Sequence, residues 1–184
     1  MILAPNHRGG VYFLEVCMLP ERKKLRLKSW DYSTEGAYFL TICSKDRKCI
    51  FSHIVGRDIL DAPDVQLSQY GQMVQDSLFY LSEKDSGIVL HNWVIMPNHV
   101  HILVSVTNEG MLTKSSKGTK RPTEAVVPRF VSSLKRFTNK KSGGELWQNG
   151  YYDHIIRDDN DFILRWRYID NNPYAWLDDD YYVE

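Results

Sequence analysis

Apolar positions along this chain change their spacing several times, and each change marks an element. Residues 37–43 are a run of β-formers that follows the turn signal Glu35-Gly36, which predicts a first buried strand. From Ser68 the spacing turns helical. Tyr70, Met73, Val74, Leu78 and Leu81 share one face and stop before Ser86-Gly87. Residues 88–96 and 99–106 are two extended runs separated by Pro97-Asn98, a pattern that predicts a hairpin closed by Asn108-Glu109-Gly110. Residues 113–123 lack apolar periodicity and carry several lysines, as expected of a mobile basic loop inside one domain. Pro128 suits the first turn of a second helix, in which Phe130, Val131, Leu134 and Phe137 share a face until Ser142-Gly143-Gly144 ends it. Residues 147–156 read as aromatic and extended. Asp158 or Asp159 then caps a last helix that runs to Asn172 and stops at Pro173, with Phe162, Trp166 and Ile169 as the stripe expected to pack on the sheet.

The predicted order is β-α-β-β-α-β-α, an α+β fold. A ferredoxin-like, split βαβ antiparallel sheet is the simplest arrangement of the first six elements, with the last helix packed on or beside it. A chain of 184 residues, 43% of them hydrophobic, fits one domain with a sizeable core. No apolar stretch is long enough to cross a bilayer: residues 11–19 come nearest, and Glu15 interrupts them. The basic cluster Arg22-Lys23-Lys24 follows that run instead of preceding it, unlike a secretory signal, so the expectation is a cytoplasmic protein without a membrane partner. Cys17, Cys43 and Cys49 show no paired spacing and read as reduced thiols.

The formal net charge of zero conceals an uneven distribution. Positive charge gathers at Arg22, Lys23, Lys24, Arg26 and Lys28, and again from Lys114 through Lys135, Arg136, Lys140 and Lys141. Acid crowds the C-terminal part at Asp158, Asp159, Asp161, Asp178, Asp179, Asp180 and Glu184, cancelling the sum without cancelling a basic surface. Either basic cluster taken alone is equally well read as ordinary solvated charge.

His99-Val100-His101 is the sharpest local feature. Alternate residues of a strand point to one face, so the two imidazoles stand side by side, where they can share a divalent cation. An isolated His-x-His is more often two surface histidines, and context must decide. Tyr168 and Asn172, four apart on the last helix, occupy neighbouring positions of one face and can reach one site together. With 11 tyrosines in the chain, spacing alone does not single out Tyr168.

The string from Trp93 to Val104 (WVIMPNHVHILV), followed by Trp147-Gln148, Tyr152-Asp153, Ile156-Arg157 and Tyr168-Ile-Asp-Asn-Asn-Pro173, resembles the HUH single-tyrosine (Y1) transposases. Within them it is similar to the REP-associated and related insertion-sequence branch, as are Arg26-Leu27-Lys28, Asp31-Tyr32, residues 36–43 and residues 47–51. The motifs occur in the right order over residues 22–184, leaving residues 1–21 as an N-terminal extension without an assigned role. The resemblance implies that His99 and His101 bind the metal, that Tyr168 on the C-terminal helix is the nucleophile and that Asn172 completes the metal site. It further implies a metal-dependent endonuclease and strand transferase acting on single-stranded or hairpin DNA through a 5′-phosphotyrosine, with Mg²⁺ or Mn²⁺ as cofactor; the sequence leaves monomer and homodimer both open. Imidazole ligands favour Mn²⁺ on softness, abundance favours Mg²⁺, and zinc fits the same donors. The basic segments Arg22, Lys23, Lys24, Arg26, Lys28, Lys135, Arg136, Lys140 and Lys141 are candidate DNA-binding residues, and Trp147, Tyr151, Tyr152 and Trp166 are candidates for stacking on bases.

Two other classes compete. A histidine-triad nucleotide hydrolase alternates three histidines along one strand, but Leu103 stands at the third position here. A non-catalytic hairpin-binding protein derived from a transposase would use the same fold, yet it has no need of paired histidines beside a tyrosine.

Overall fold

The computed structural model describes residues 35–56, 63–84, 87–107 and 125–183. Strands β1 (Gly36–Cys43), β2 (Ser52–Val55) and β3 (Asp64–Leu67) precede helix α1 (Gln69–Lys84). Strands β4 (Ile88–Ile95) and β5 (His99–Val106), helix α2 (Val126–Ser142), strand β6 (Tyr152–Ile155) and helix α3 (Asp159–Asn171) follow. The central sheet has four strands in the order β4-β5-β1-β6, every neighbouring pair antiparallel. Among the described residues, then, the fold is α+β, with three α-helices against one antiparallel sheet. No described helix is long and apolar enough to cross a membrane.

Strand β5 organises the molecule because it lies inside the sheet and is covered on both faces. Val100, Ile102, Val104 and Val106 point into the main core, where they meet Tyr38, Leu40 and Ile42 of β1, Val74, Leu78 and Leu81 of α1, and Val127, Phe130, Val131 and Leu134 of α2. The alternate residues of β5 face the other way. There Leu103 joins Phe39 and Ile169 in a second, smaller apolar cluster, against which Val94, Ile156 and Phe162 pack. Helix α3 therefore covers the face that carries His99 and His101, while α1 and α2 cover its back.

The β4-β5 turn forms where Pro97-Asn98 interrupts the hydrophobic run, closed by Met96 N–H donating to the His99 carbonyl at 2.9 Å. Phe51 N–H donates to the Pro97 carbonyl and Ser44 N–H to the Asn98 carbonyl, so the segment after β1 clamps the turn from outside. Gly71 lets α1 come close: a Cβ there would lie 2.1 Å from the Phe51 carbonyl oxygen. Asp158 caps α3 as its sequence predicts, its carboxylate accepting from Asp161 N–H at 2.9 Å. Helix α2 ends at Gly143 in the left-handed conformation, with φ at 73°.

Several expectations need correction. Residues 147–156 do not form one strand: Trp147 makes an isolated bridge to Ser44, and Gly150 turns the chain at φ 79° before β6 begins. The β2-β3 hairpin goes beyond the predicted order, its Ser52 paired with Leu67 and Val55 with Asp64. In α3, Phe162 and Ile169 pack on the sheet, whereas Trp166 flanks Phe162 and stays 37% exposed. The N-terminal extension 1–21, the basic residues Arg22, Lys23, Lys24, Arg26 and Lys28, and the basic loop 113–123 lie outside the described residues.

Candidate active site

The alternation of β5 places His99 and His101 on one face with ring centroids 4.5 Å apart, and both side chains are buried. Each ring is oriented through its Nδ1. His101 Nδ1 lies 2.9 Å from Thr41 Oγ1 on the neighbouring strand, where Thr41 and His101 are registered partners. His99 Nδ1 lies 2.9 Å from Asn98 Oδ1. Which way the Asn98 amide faces is settled by its other end, since Nδ2 donates to the Tyr181 carbonyl at 2.7 Å and to the Arg47 carbonyl at 3.3 Å. With Oδ1 turned to the ring, His99 Nδ1 carries the hydrogen and Nε2 keeps its lone pair. Both Nε2 atoms are buried and make no hydrogen bond among the described residues.

Helix α3 and the segment after it bring the remaining donors. Asn172 is the C-cap of α3, buried, with an Oδ1 that likewise lacks a hydrogen-bond partner among the described residues. Its Nδ2 donates to Asp179 Oδ2 at 2.7 Å. Beyond Pro173 the chain folds back through a 3₁₀ turn, Trp176–Asp178, anchored by buried Trp176. That return sets an Asp179 carboxylate oxygen and one nitrogen from each histidine within 4.8 Å of one another.

Burial drives the His99 pKa down to about 4, against the opposing charge of Asp179 and the nearby Asn172 amide, whose Oδ1 nonetheless accepts no bond of good geometry. Burial also carries His101 well below the ordinary value, and proximity to His99 adds to the effect. Both rings are therefore neutral at neutral pH. Two neutral imidazoles with buried, unpartnered Nε2 atoms, an amide oxygen and a carboxylate form a donor set suited to a divalent cation. Buried polar atoms left without hydrogen bonds would otherwise be costly.

Tyr168 stands at the margin of this pocket, 40% exposed. Its ring packs edge-on against His101, with centroids 5.1 Å apart, and against Phe39 at 5.7 Å. Burial, followed by the charges of Asp179, Tyr181 and Asp180, pushes its pKa up to about 12, while Arg165 pulls the other way. Tyr181 lies over His99 with centroids 4.6 Å apart, and the Arg47 guanidinium sits 5.3 Å from the Tyr181 ring.

The structure thus brings together His99, His101, Tyr168 and Asn172, and adds Asp179, which the sequence pattern alone places among the C-terminal acids. The available signal is Trp176, an aromatic just after Pro173 that can tie an otherwise acidic segment to the body of the fold. The basic helix is not at this site, because α2 packs on the opposite face of the sheet. Arg136, Lys140 and Lys141 are exposed there, but Lys135 is not an outward cation: its Nζ donates to the carbonyls of Gln148 and Gly150. Burial lowers its pKa to about 8. A cavity of about 520 Å³ lies beside it, lined in part by Lys45, Asn139, Trp147 and Tyr151, and separate from the histidines. Trp147 is buried, tilted against the Phe51 ring at 4.6 Å, and donates its indole N–H to Thr138 Oγ1, which marks it as core rather than a base-stacking surface.

Known proteins resemble this chain in sequence and in fold. Residues 33–172 match the family model described as "Transposase IS200 like". The chain is 31% identical over 175 residues to an uncharacterised protein of Haemophilus influenzae, an alignment covering 89% of this chain and 94% of that one. In fold it is similar to a REP-associated tyrosine transposase whose structure was solved bound to a REP hairpin, with a TM-score of 0.53 and 16% identity over 80% of this chain and 73% of the other. A match that takes in β1, both histidines and the whole of α3 leaves one conclusion: the chain belongs to the IS200-like transposase family.

Proposed function

We propose that this protein is a metal-dependent single-stranded DNA endonuclease and strand transferase that acts at DNA hairpins through Tyr168. The observation that carries the proposal is the convergence of four features at one end of the sheet. These are two buried histidine Nε2 atoms without partners, the buried Asn172 Oδ1, the Asp179 carboxylate, and a half-exposed tyrosine packed against His101. The scaffold reads as a ferredoxin-like split βαβ sheet, with the nucleophile on the helix that crosses its open face.

His99 and His101, with Asn172 and Asp179, are the residues that would hold Mg²⁺ or Mn²⁺, which when bound supplies positive charge to polarise a phosphodiester. Asn98 and Thr41 keep the two imidazoles in the orientation this requires. Tyr168 Oη attacks the phosphorus. The bond to the 3′ oxygen breaks with its electron pair, the phenolic proton ends on that oxygen, and the 5′ phosphate stays on the tyrosine. A second 3′ hydroxyl can reverse the step with a new strand, so strand transfer needs neither ATP nor water. The fold shared with a protein bound to a REP hairpin supports hairpin DNA as the partner. Exposed Arg136, Lys140 and Lys141 are among the described cations available to its phosphates.

The test is a covalent adduct. Incubated with Mn²⁺ and a pool of single-stranded oligonucleotides, each a hairpin with randomised flanks, the protein should acquire a denaturation-resistant DNA adduct that peptide mapping places on Tyr168. Asn172→Ala should slow the reaction less than loss of a histidine, because Asp179 and water remain as donors. If the hairpins bound but no tyrosine captured DNA, the protein would be a hairpin-binding relative without nicking activity.

A further inference from the structure

Tyr168 is not alone on its side of α3. Arg165, three residues earlier, projects from the same flank, and its guanidinium carbon lies 5.6 Å from the centre of the Phe39 ring. That ring also stacks on His101 at 5.1 Å and meets the edge of Tyr168 at 5.7 Å, so one aromatic side chain carries the arginine, the histidine and the tyrosine. Arg165 is positioned as well as near. Its Nε donates to Asp161 Oδ1 at 3.3 Å, and Asp161 is itself fixed through Oδ2, which lies 2.7 Å from His154 Nε2 on β6 and accepts from Arg157 N–H at 3.3 Å. Held by Nε, the guanidinium keeps both terminal NH₂ groups available, and they make no hydrogen bond or ion pair among the described residues. The side chain is 35% exposed, open enough to meet a phosphate.

Charge gives the arrangement its purpose. Asp179 sets a carboxylate beside the two histidines, Asp180 follows it in the chain, and imidazoles that hold a metal do so as neutral ligands. A divalent cation bound there would only balance the two carboxylates. The phosphodiester then adds one negative charge, and more negative charge collects on its non-bridging oxygens as the tyrosine attacks. Arg165 is the cation that shares the Phe39 ring with Tyr168. An i, i+4 pair with Asp161 would suffice for a purely structural arginine, but it would not require the side chain to lie over the ring that carries His101 and Tyr168.

We propose that Arg165 is a catalytic residue of the nicking step, its guanidinium gripping the scissile phosphate beside Tyr168 and neutralising charge on the non-bridging oxygens, with Asp161 as its positioning residue. This rests on the nicking reading above and names a group that reading does not need. The same grip holds the phosphotyrosine after the 3′ oxygen has left, ready for the incoming 3′ hydroxyl.

The experiment uses full-length protein and a hairpin oligonucleotide captured by the wild type from the randomised pool, prepared with either a normal phosphate or an uncharged methylphosphonate at the mapped cut. On the normal phosphate, Arg165→Ala should slow adduct formation by roughly 100- to 1,000-fold, as loss of a preorganised charge-stabilising donor does. Arg165→Lys should recover only a small part of this, since an ammonium lacks the fork. Asp161→Asn should fall between, and Arg167→Ala, an exposed arginine on the same helix, should react like the wild type. On the methylphosphonate, the gap between wild type and Arg165→Ala should shrink to about tenfold or less, because the charge that Arg165 answers is gone. Circular dichroism and hairpin affinity should match between the two. An undiminished gap on the uncharged linkage, or an Arg165→Ala protein as fast as the wild type, would overturn the proposal while leaving Tyr168 chemistry standing. A wild type that captures nothing from the pool would remove the nicking reading and this proposal together.

Discussion

The two faces of the central sheet do opposite work with the same strand. Behind β5, Val100, Ile102 and Val104 disappear into a core shared with α1 and α2, where the packing is apolar and close. In front of it, His99 and His101 are just as buried, yet their Nε2 atoms have no hydrogen-bond partner among the described residues and the apolar cluster around them is small. Burial thus means close apolar packing on one face and unsatisfied polar atoms on the other. A well-packed back holds the strand rigid, and rigidity lets the front keep polar atoms in a fixed, poorly satisfied arrangement.

Substitutions on adjacent residues of β5 break this comparison most sharply. His101→Ala should abolish metal-dependent adduct formation, as should Tyr168→Phe, with hairpin binding retained and the melting transition little changed. Ile102→Ala should do the reverse, lowering stability by about 2 to 5 kcal/mol in a denaturant titration while the folded fraction still forms adduct. An Ile102→Ala protein of full stability, or a His101→Ala protein that still captures DNA, would show that the faces are not divided in this way.

The next effect is on pH. His99 has a folded pKa near 4, below its ordinary value of 6.5, because burial disfavours its charged form. The unfolded chain therefore binds more protons than the folded one between those values, and stability is lost as pH falls from about 6.5 towards 4. Burial lowers the His101 pKa as well, so it adds to the loss in the same direction. Thermal melts of metal-free protein should record the decline, and saturating Mn²⁺ should move it to lower pH. A His99→Gln protein with an equally steep decline would assign it to other groups.

Asn98→Ala should have a smaller and more selective consequence. It removes the acceptor that orients His99, so Mn²⁺ affinity measured by calorimetry should fall by roughly 10- to 100-fold, the usual cost of losing such a partner. Tyr168 would remain in place, and high Mn²⁺ should restore most of the adduct. No change in affinity would mean that the ring is held by packing with Tyr181 and Trp176 instead.

The smallest effect belongs to the basic back of α2. Neutralising Arg136, Lys140 and Lys141 should flatten the salt dependence of hairpin binding, by about 1 unit of log-log slope for each phosphate that no longer meets a cation. The rate at saturating DNA should stay unchanged. Lys135→Gln should instead act on stability, because its ammonium ties the 148–150 turn to the helix. A salt slope insensitive to the triple neutralisation would take α2 out of the DNA interface.

Much of this is legible along the chain. Period-two alternation in residues 99–106 puts both histidines on one face, helical spacing sets Tyr168 one turn from Asn172, and Asp158, Gly143 and Pro173 mark helix ends by their local backbone chemistry. Each depends only on residues within a turn or a strand of one another, so sequence alone determines it. The partners are another matter. Asp179 meets His99 across 80 positions, Asn98 is oriented by the carbonyls of Arg47 and Tyr181, and Phe39 on β1 gathers His101, Tyr168 and Arg165 from two other elements. No periodicity records such meetings. They follow from the sheet order β4-β5-β1-β6, which sets β1 beside β5, and from the return of the chain after Pro173. Local sequence chose the side chains that could do the chemistry, and long-range packing decided which of them share a site, because distant segments meet only once the core has brought them together.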